Sequence, residues 1–448
     1  MRRAGLLLAA GLALAVPARA GDSILGTVET VTLKNGLRLV LAPDSAAKSV
    51  DVTVWYDAGS RYDRPGKTGV AHLFEHLMFR GSAHFGPDEH ARQVRAEGGT
   101  SGAFATSDFI ALYETLPADD LELALKLEAD RMAGLTFTQA ALDAERRQVA
   151  EERERRATPI THGLQRIYEL AFPTTPYGVP VYGREADLPG LTLKDFQEFY
   201  RAAFVPGRAV VTVVGGFRRD DALALAKKYL EPIKGGSSRP QPIPADRPQA
   251  AERRLVDHVP APLRVLLVGW PIPSRTDPDW APLNLLATYL TRGSEAPLGK
   301  ALVLERPLCL SVQGDVDTRR DGSMLYLAVA VAPNADSAEV ERTLLAEVDR
   351  ASKQPASDAD LERAKRQSET GAWFSLQTTR DRGQALGSGL MLAGDPRDLE
   401  RQLARMRACT AKDLQRVAAR LGPQRRNLVW LLPSQEPGGM GGSAGTRP

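Results

Sequence analysis

Thiols are scarce in these 448 residues, with only Cys309 and Cys409 present. One pair cannot make a disulfide framework, and whether the two join depends on how closely their Cα atoms approach, which sequence does not give. Two isolated buried thiols are the alternative. With so little sulfur, any metal site must draw on histidine and carboxylate. Histidine itself numbers six, and no His-rich tract suggests metal storage or transport. Aromatic residues are few, and no apolar run after the first twenty residues is long enough to cross a membrane. Charge of either sign is not in excess. Residues 1–20 carry Arg2, Arg3 and Arg19 and no acid, so without them the formal charge falls from +3 to 0. That removes the basic balance expected of a nucleic-acid binder.

What is present begins with an export pattern. Met1-Arg2-Arg3 precedes the apolar run 4–16 and then Pro17-Ala18-Arg19-Ala20, the basic, apolar and small-residue order of a signal peptide covering 1–20. An uncleaved anchor is the alternative. The expected location is outside the cytoplasm: periplasmic in a Gram-negative cell, or secreted.

The remaining length exceeds what one core usually organises. Residues 235–253 (GGSSRPQPIPADRPQAAER) are rich in Gly, Pro and Ser and read as a linker. It separates an N-terminal domain, 21–234, from a C-terminal one, 254–435, and the tail 436–448 is predicted to be disordered. The halves share a pattern. Thr192-Leu193-Lys194-Asp195 and Thr410-Ala411-Lys412-Asp413 each open a helical stretch, followed by a Gly/Pro break and an apolar run. In each the Thr suits an N-cap and the Asp the first turn. Apolar runs of that length suit buried strands. A duplicated α/β domain accounts for the pattern.

The chemistry gathers in Gly69-Val70-Ala71-His72-Leu73-Phe74-Glu75-His76-Leu77-Met78-Phe79, a predicted helix with Thr68 as its N-cap. His72 and His76 are one turn apart and share a face, with Glu75 beside it. Two neutral imidazoles and one further ligand make a catalytic zinc site with a position left for water, from which Glu75 can take a proton. The order His-x-x-Glu-His inverts the commoner zinc-protease motif. A third ligand is needed. The charged helical segment 144–156 offers Glu145, Glu151 and Glu152; Glu145 and Glu152 share a face, and spacing alone does not choose among the acids. The other histidines, His84, His90, His162 and His258, show no ligand spacing and read as surface or loop residues.

At these residues the chain resembles the insulinase/pitrilysin family of zinc peptidases, particularly its short bacterial, processing-peptidase-like members. Gly59-Ser60-Arg61, Leu123 to Met132, Glu145-Arg146, Glu151-Glu152-Arg153 and Pro176-Tyr177-Gly178 also carry the likeness. The resemblance implies an α+β fold (an α/β sandwich) of two homologous domains, each a mostly antiparallel sheet with helices packed on one face. It implies one Zn²⁺ per chain held by His72, His76 and Glu152, with Glu75 as the catalytic base and Glu145 supporting the ligands. Active units of the family enclose peptides with four such domains, so a two-domain chain should dimerise. Peptide substrates add a strand to a sheet edge in this family. The segment Gly98 to Leu116 resembles that edge, with Gly102, Ala103 and Phe104 as the substrate contacts; the family's usual Asn is replaced by Gly102.

A second departure lies at 302–312. Val303 and Leu310 stand where active members carry an Arg and a Tyr that bind substrate and stabilise the oxyanion. Neither side chain can donate a hydrogen bond, and losing one such donor costs about two to three orders of magnitude in rate. The favoured explanation is a heterodimer in which a zinc-less homologous subunit supplies that pair; the alternative, with a homodimer as the assembly, is that Arg306 or Tyr326 substitutes locally or that catalysis tolerates the loss. The leading expectation is therefore a zinc endopeptidase acting on peptides or unfolded segments, with a non-catalytic assembly subunit of the same fold as the alternative.

Overall fold

The computed structural model describes residues 23–156, 158–236, 243 and 246–434. The proposed signal peptide and tail, and residues 237–242 and 244–245 of the proposed linker, lie outside the described residues.

The chain builds two sheets. Strands β1 (Glu29–Thr32), β2 (Arg38–Pro43), β3 (Ser49–Tyr56), β4 (Thr100–Ala105), β5 (Ile110–Pro117) and β6 (Ala209–Gly215) form the first, in spatial order β1-β2-β6-β3-β5-β4. The second holds β7 (Arg253–Val259), β8 (Val265–Ile272), β9 (Cys309–Asp317), β10 (Ser323–Val331) and β11 (Asn427–Pro433), in order β7-β11-β8-β10-β9. Each sheet has one parallel pair, β2 with β6 and β7 with β11, and is otherwise antiparallel. Leaving β1 aside, the two orders and directions coincide strand for strand. The repeat visible in the sequence is thus a repeat of topology, and the fold is α+β with mostly antiparallel sheets.

Helices α1 (Val70–Leu77), α2 (Glu89–Ala96), α3 (Leu121–Gly134), α4 (Gln139–Arg156), α5 (Pro159–Ala171), α6 (Leu193–Ala203) and α7 (Arg219–Tyr229) belong to the first half. The second half contributes α8 (Trp280–Thr291), α9 (Ser337–Lys353), α10 (Asp358–Phe374), α11 (Thr379–Ala393), α12 (Asp398–Ala408) and α13 (Ala411–Ala418). The two Thr-x-x-Asp stretches open α6 and α13 through reciprocal capping boxes, Thr192 with Asp195 and Thr410 with Asp413, which satisfy otherwise orphaned N–H groups.

Strand β6 shows why the apolar runs are buried. All seven residues of Ala209–Gly215 are inaccessible because both sheet faces are covered. Val211 and Val213 join the large core beneath the helices, and Val210 and Val214 join a smaller one on the opposite face. The second layer is exchanged between the halves. Helix α11 of the second half packs on β3 and β6, and α5 of the first half packs on β8 and β11, their topological counterparts. Each helix carries a glycine at the contact. A Cβ on Gly387 would strike the Trp55 indole, and one on Gly163 would strike Leu267, so close approach requires a missing side chain at both.

A polar seam completes the joint. Arg61, nearly inaccessible, donates to Asp108 (2.7 Å) and to the Tyr177 hydroxyl (3.0 Å), and pairs with Asp321 of the second half. Arg320 donates to Asp57 (2.7 Å). A charge buried this deeply is tolerated when it is paired and hydrogen-bonded.

Cys309 and Cys409 are both buried free thiols in the core of the second half, and burial pushes each up to about 11. Among the described residues no helix is long and apolar enough to cross a membrane.

Candidate metal centre

Helix α1 starts where the sequence places it, with a different cap. Gly69 is the N-cap, at φ 90°, a left-handed conformation that glycine adopts without penalty. The capping carboxylate comes from Asp63, which accepts from the N–H groups of Gly69 (2.7 Å) and Ala71 (3.2 Å). Thr68, the sequence-based choice, is turned away. Its hydroxyl donates to Asp187 (2.5 Å) and accepts from the Arg184 N–H (2.8 Å), fixing the loop that follows Tyr177.

One face of α1 carries His72 and His76 toward α4, which packs against it. Helix α4 brings Glu145 and Glu152 to the same side. His76 Nε2 lies 3.1 Å from Glu152 Oε2, and its Nδ1 lies 3.0 Å from Glu145 Oε2. His72 Nε2 lies 3.4 Å from the same Glu152 oxygen, and its Nδ1 lies 3.5 Å from Glu75. Glu145 in turn accepts from Arg80. His72 is 5% exposed, and its ring meets Tyr182 edge-on, with centroids 4.5 Å apart. Glu151, on α4 beside Glu152, is exposed.

The arrangement fits a metal ion. One atom from each of His72, His76 and Glu152 lies within 4.8 Å of the others. Bonds of about 2.1 Å at tetrahedral angles place ligand atoms about 3.4 Å apart, close to the 3.1 and 3.4 Å separations from Glu152 to the two rings. Among the described residues the buried His72 Nε2 makes no aligned hydrogen bond, the Glu152 oxygen 3.4 Å away included, a costly state for a ring nitrogen unless something else engages it. Burial of His72 opposes its charged form, yet Glu152 and Glu75 outweigh that and raise it above its ordinary value. The surroundings therefore favour a positive charge at this point. Glu145 is held below the usual carboxylate range by His76 and Arg80, against burial.

The edge segment differs from its sequence reading. Gly98 to Leu116 is a hairpin, β4 and β5, of which, among the described residues, only β4 has a free side. The strand breaks because the Thr106 Oγ1 accepts from the N–H groups of Asp108 (3.1 Å) and Phe109 (3.0 Å), a local turn that competes with the ladder. Gly102, Ala103 and Phe104 all lie on β4. Ala103 packs toward the α1 side, while Phe104 packs with Trp55 on the opposite face.

Val303 and Leu310 sit in the second half. Val303 is in a short π-helical turn, Lys300–Leu304, packed near α9 and β9, and Leu310 is 57% exposed on β9, one of the two edge strands of the second sheet. Arg306 pairs with Glu339 (3.4 Å), and Tyr326 packs toward α5. His90 is not a surface residue. It is buried between Ser82 (3.1 Å) and Arg131 (2.9 Å), and burial and then Arg131 push it down to about 3. His84 and His162 pair with Asp130 and Asp257. Asp63 and Tyr182, with Arg80 behind Glu145, are site residues that the sequence reading missed. An acid a few positions before the glycine that opens the histidine helix is a usable signal for the first, and nothing local marks the second.

Two family models match the chain: "Insulinase (Peptidase family M16)" over residues 38–184 and "Peptidase M16 inactive domain" over 190–368. The zinc protease PqqE of Helicobacter pylori is 28% identical over 366 residues, covering 80% of this chain and 82% of that protein. A crystal structure of a protease from Helicobacter pylori superposes with a TM-score of 0.86 at 26% identity, covering 91% of this chain and 99% of that one. "Probable mitochondrial-processing peptidase subunit beta" of Arabidopsis thaliana is 25% identical over 411 residues, covering 89% of this chain and 77% of that protein.

Proposed function

The chain belongs to the insulinase family of peptidases, M16, and from that premise we propose that it is a zinc-dependent endopeptidase cleaving peptides or unfolded segments. The observation that carries the reading is the convergence of His72, His76 and Glu152, with Glu75 beside them. A zinc ion bound there supplies Lewis acidity, polarising the scissile carbonyl and making water acidic enough to attack near neutral pH. Glu75 takes the proton of the attacking water and returns it to the leaving amine. Glu145 and Arg80 hold the His76 ring so that its Nε2 faces inward. The free side of β4 offers backbone groups on which a substrate strand can pair, beside α1.

Two finer readings accompany this one. Val303 and Leu310 provide no donor for an oxyanion, which favours a zinc-less homologous subunit that does. The likeness to a protein named as a beta subunit supports that heterodimer. The order of Met1 to Ala20 supports export to the periplasm or beyond.

The test is cleavage of an unstructured peptide by the purified chain before chelation, after chelation and after zinc is restored. Activity should vanish and return. Cleavage that persists in metal-free protein rules the reading out. Adding a zinc-less homologue should raise the rate about a hundredfold, and an unchanged rate removes the heterodimer.

A further inference from the structure

We propose that the free edge of β4 carries an acid-selective subsite made by Tyr113 and Arg380, favouring a substrate strand that sets an Asp or Glu beside Gly102. The inference rests on the reading of β4 as the substrate edge, and names the side chain that this edge selects.

Tyr113 stands directly opposite Gly102 in the β4–β5 ladder, so both belong to the same sheet face. A Cβ built on Gly102 would run into the Tyr113 hydroxyl and its Cζ, the latter at 2.6 Å. The phenol therefore lies across Gly102 toward the open side of β4, and its hydroxyl reaches the space that a side chain at 102 would fill.

Arg380, the second residue of α11, stacks on that ring with its guanidinium carbon 3.5 Å from the centroid. No ion pair engages Arg380 among the described residues. The acids around it are already committed. Asp51 is buried and accepts from Thr53 (2.8 Å) and Thr115 (2.8 Å). Asp381 accepts from the hydroxyl and N–H of Thr378 in the helix cap. Tyr113 and Arg380 are both partly exposed, so a carboxylate arriving along β4 can accept from a phenol and a guanidinium at once, in charge-assisted hydrogen bonds.

Two residues along the same face, Phe104 packs on Trp55 and Phe109 and keeps part of its ring open. On an added strand, side chains two apart share a face. The favoured substrate pattern is therefore an acidic residue two positions from an apolar one.

Binding is measured by fluorescence anisotropy, with labelled unstructured decapeptides and the zinc-loaded Glu75→Gln chain, which holds peptides without cleaving them. Asp is placed at each position in turn and compared with Asn. In one register Asp should bind about fivefold tighter than Asn. Arg380→Ala should erase the difference between the Asp and Asn peptides, while a peptide with Ala at that position still binds, which shows that the edge is intact. Arg380→Lys should keep part of the preference. Equal binding of Asp and Asn in every register, or a preference that survives Arg380→Ala, overturns the subsite. Alternate backbone N-methylation separates this from failure of the underlying reading. If methylated peptides bind as well as their parents, or no peptide binds, β4 is not the substrate edge. If methylation abolishes binding but Asp gives no gain, only the subsite falls.

Discussion

Glu145 touches His76 through Nδ1 and leaves Nε2 to face Glu152. Its replacement by Ala should lower zinc affinity about ten- to a hundredfold, measured by competition with a chelator, with the fold unchanged by circular dichroism. An unaltered affinity would mean that packing alone orients the ring. Asp195 makes a second prediction. Burial pushes its carboxyl up, but Lys67 and Thr192 outweigh this and hold it at about 2. A carboxyl lowered in the fold contributes stability that is complete above its ordinary value and lost as pH falls through the folded one. Asp195→Asn should therefore lower the urea midpoint at neutral pH, and the deficit should shrink below about pH 4. A deficit independent of pH would show that the Lys67 pair is not its source. At this scale the metal ligands were legible because one helical turn separates His72 from His76, a spacing any helix converts into a shared face. Glu152 rather than Glu151 required helical register and the family resemblance. The cap was misread because Thr68 is the better local candidate, whereas Asp63 reaches the helix through the path of a loop.

The exchange of α5 and α11 between the halves makes each sheet depend on the other half of the chain. Gly387→Leu should drive α11 off Trp55 at a cost of about 1–3 kcal/mol, as overpacking does, partly offset by the better helix propensity of leucine. Its signature is where the damage appears. Hydrogen exchange should quicken in β3 and β6 of the first half, although the substitution is in the second. Quickening confined to α11 and its own half would contradict the exchange. The strands were readable from their apolar runs, because a strand buried on both faces has no polar alternation to hide it. The exchange was not readable. Amphipathic sequence says that a face will be buried, not which element buries it.

For the whole molecule, the duplicated topology was foreshadowed by the two Thr-x-x-Asp helix openings, and the polar seam through Arg61 and Asp108 was not, since it joins residues far apart in sequence. A metal that binds only the folded chain must stabilise it. Zinc at about a hundred times its dissociation constant should add about 2.7 kcal/mol, seen as a higher unfolding temperature that chelation reverses. No shift on chelation would mean that His72, His76 and Glu152 converge without holding zinc.

The central claim joins that metal to a proton carrier. Its most direct test measures zinc content and peptide cleavage together for the wild-type chain and for Glu75→Gln, with any co-purifying partner retained. Glu75 is not one of the three converging ligands, so the variant should hold one zinc per chain, as the wild type does. Its cleavage rate should fall by about two to four orders of magnitude. Full cleavage by zinc-loaded Glu75→Gln protein would contradict the account.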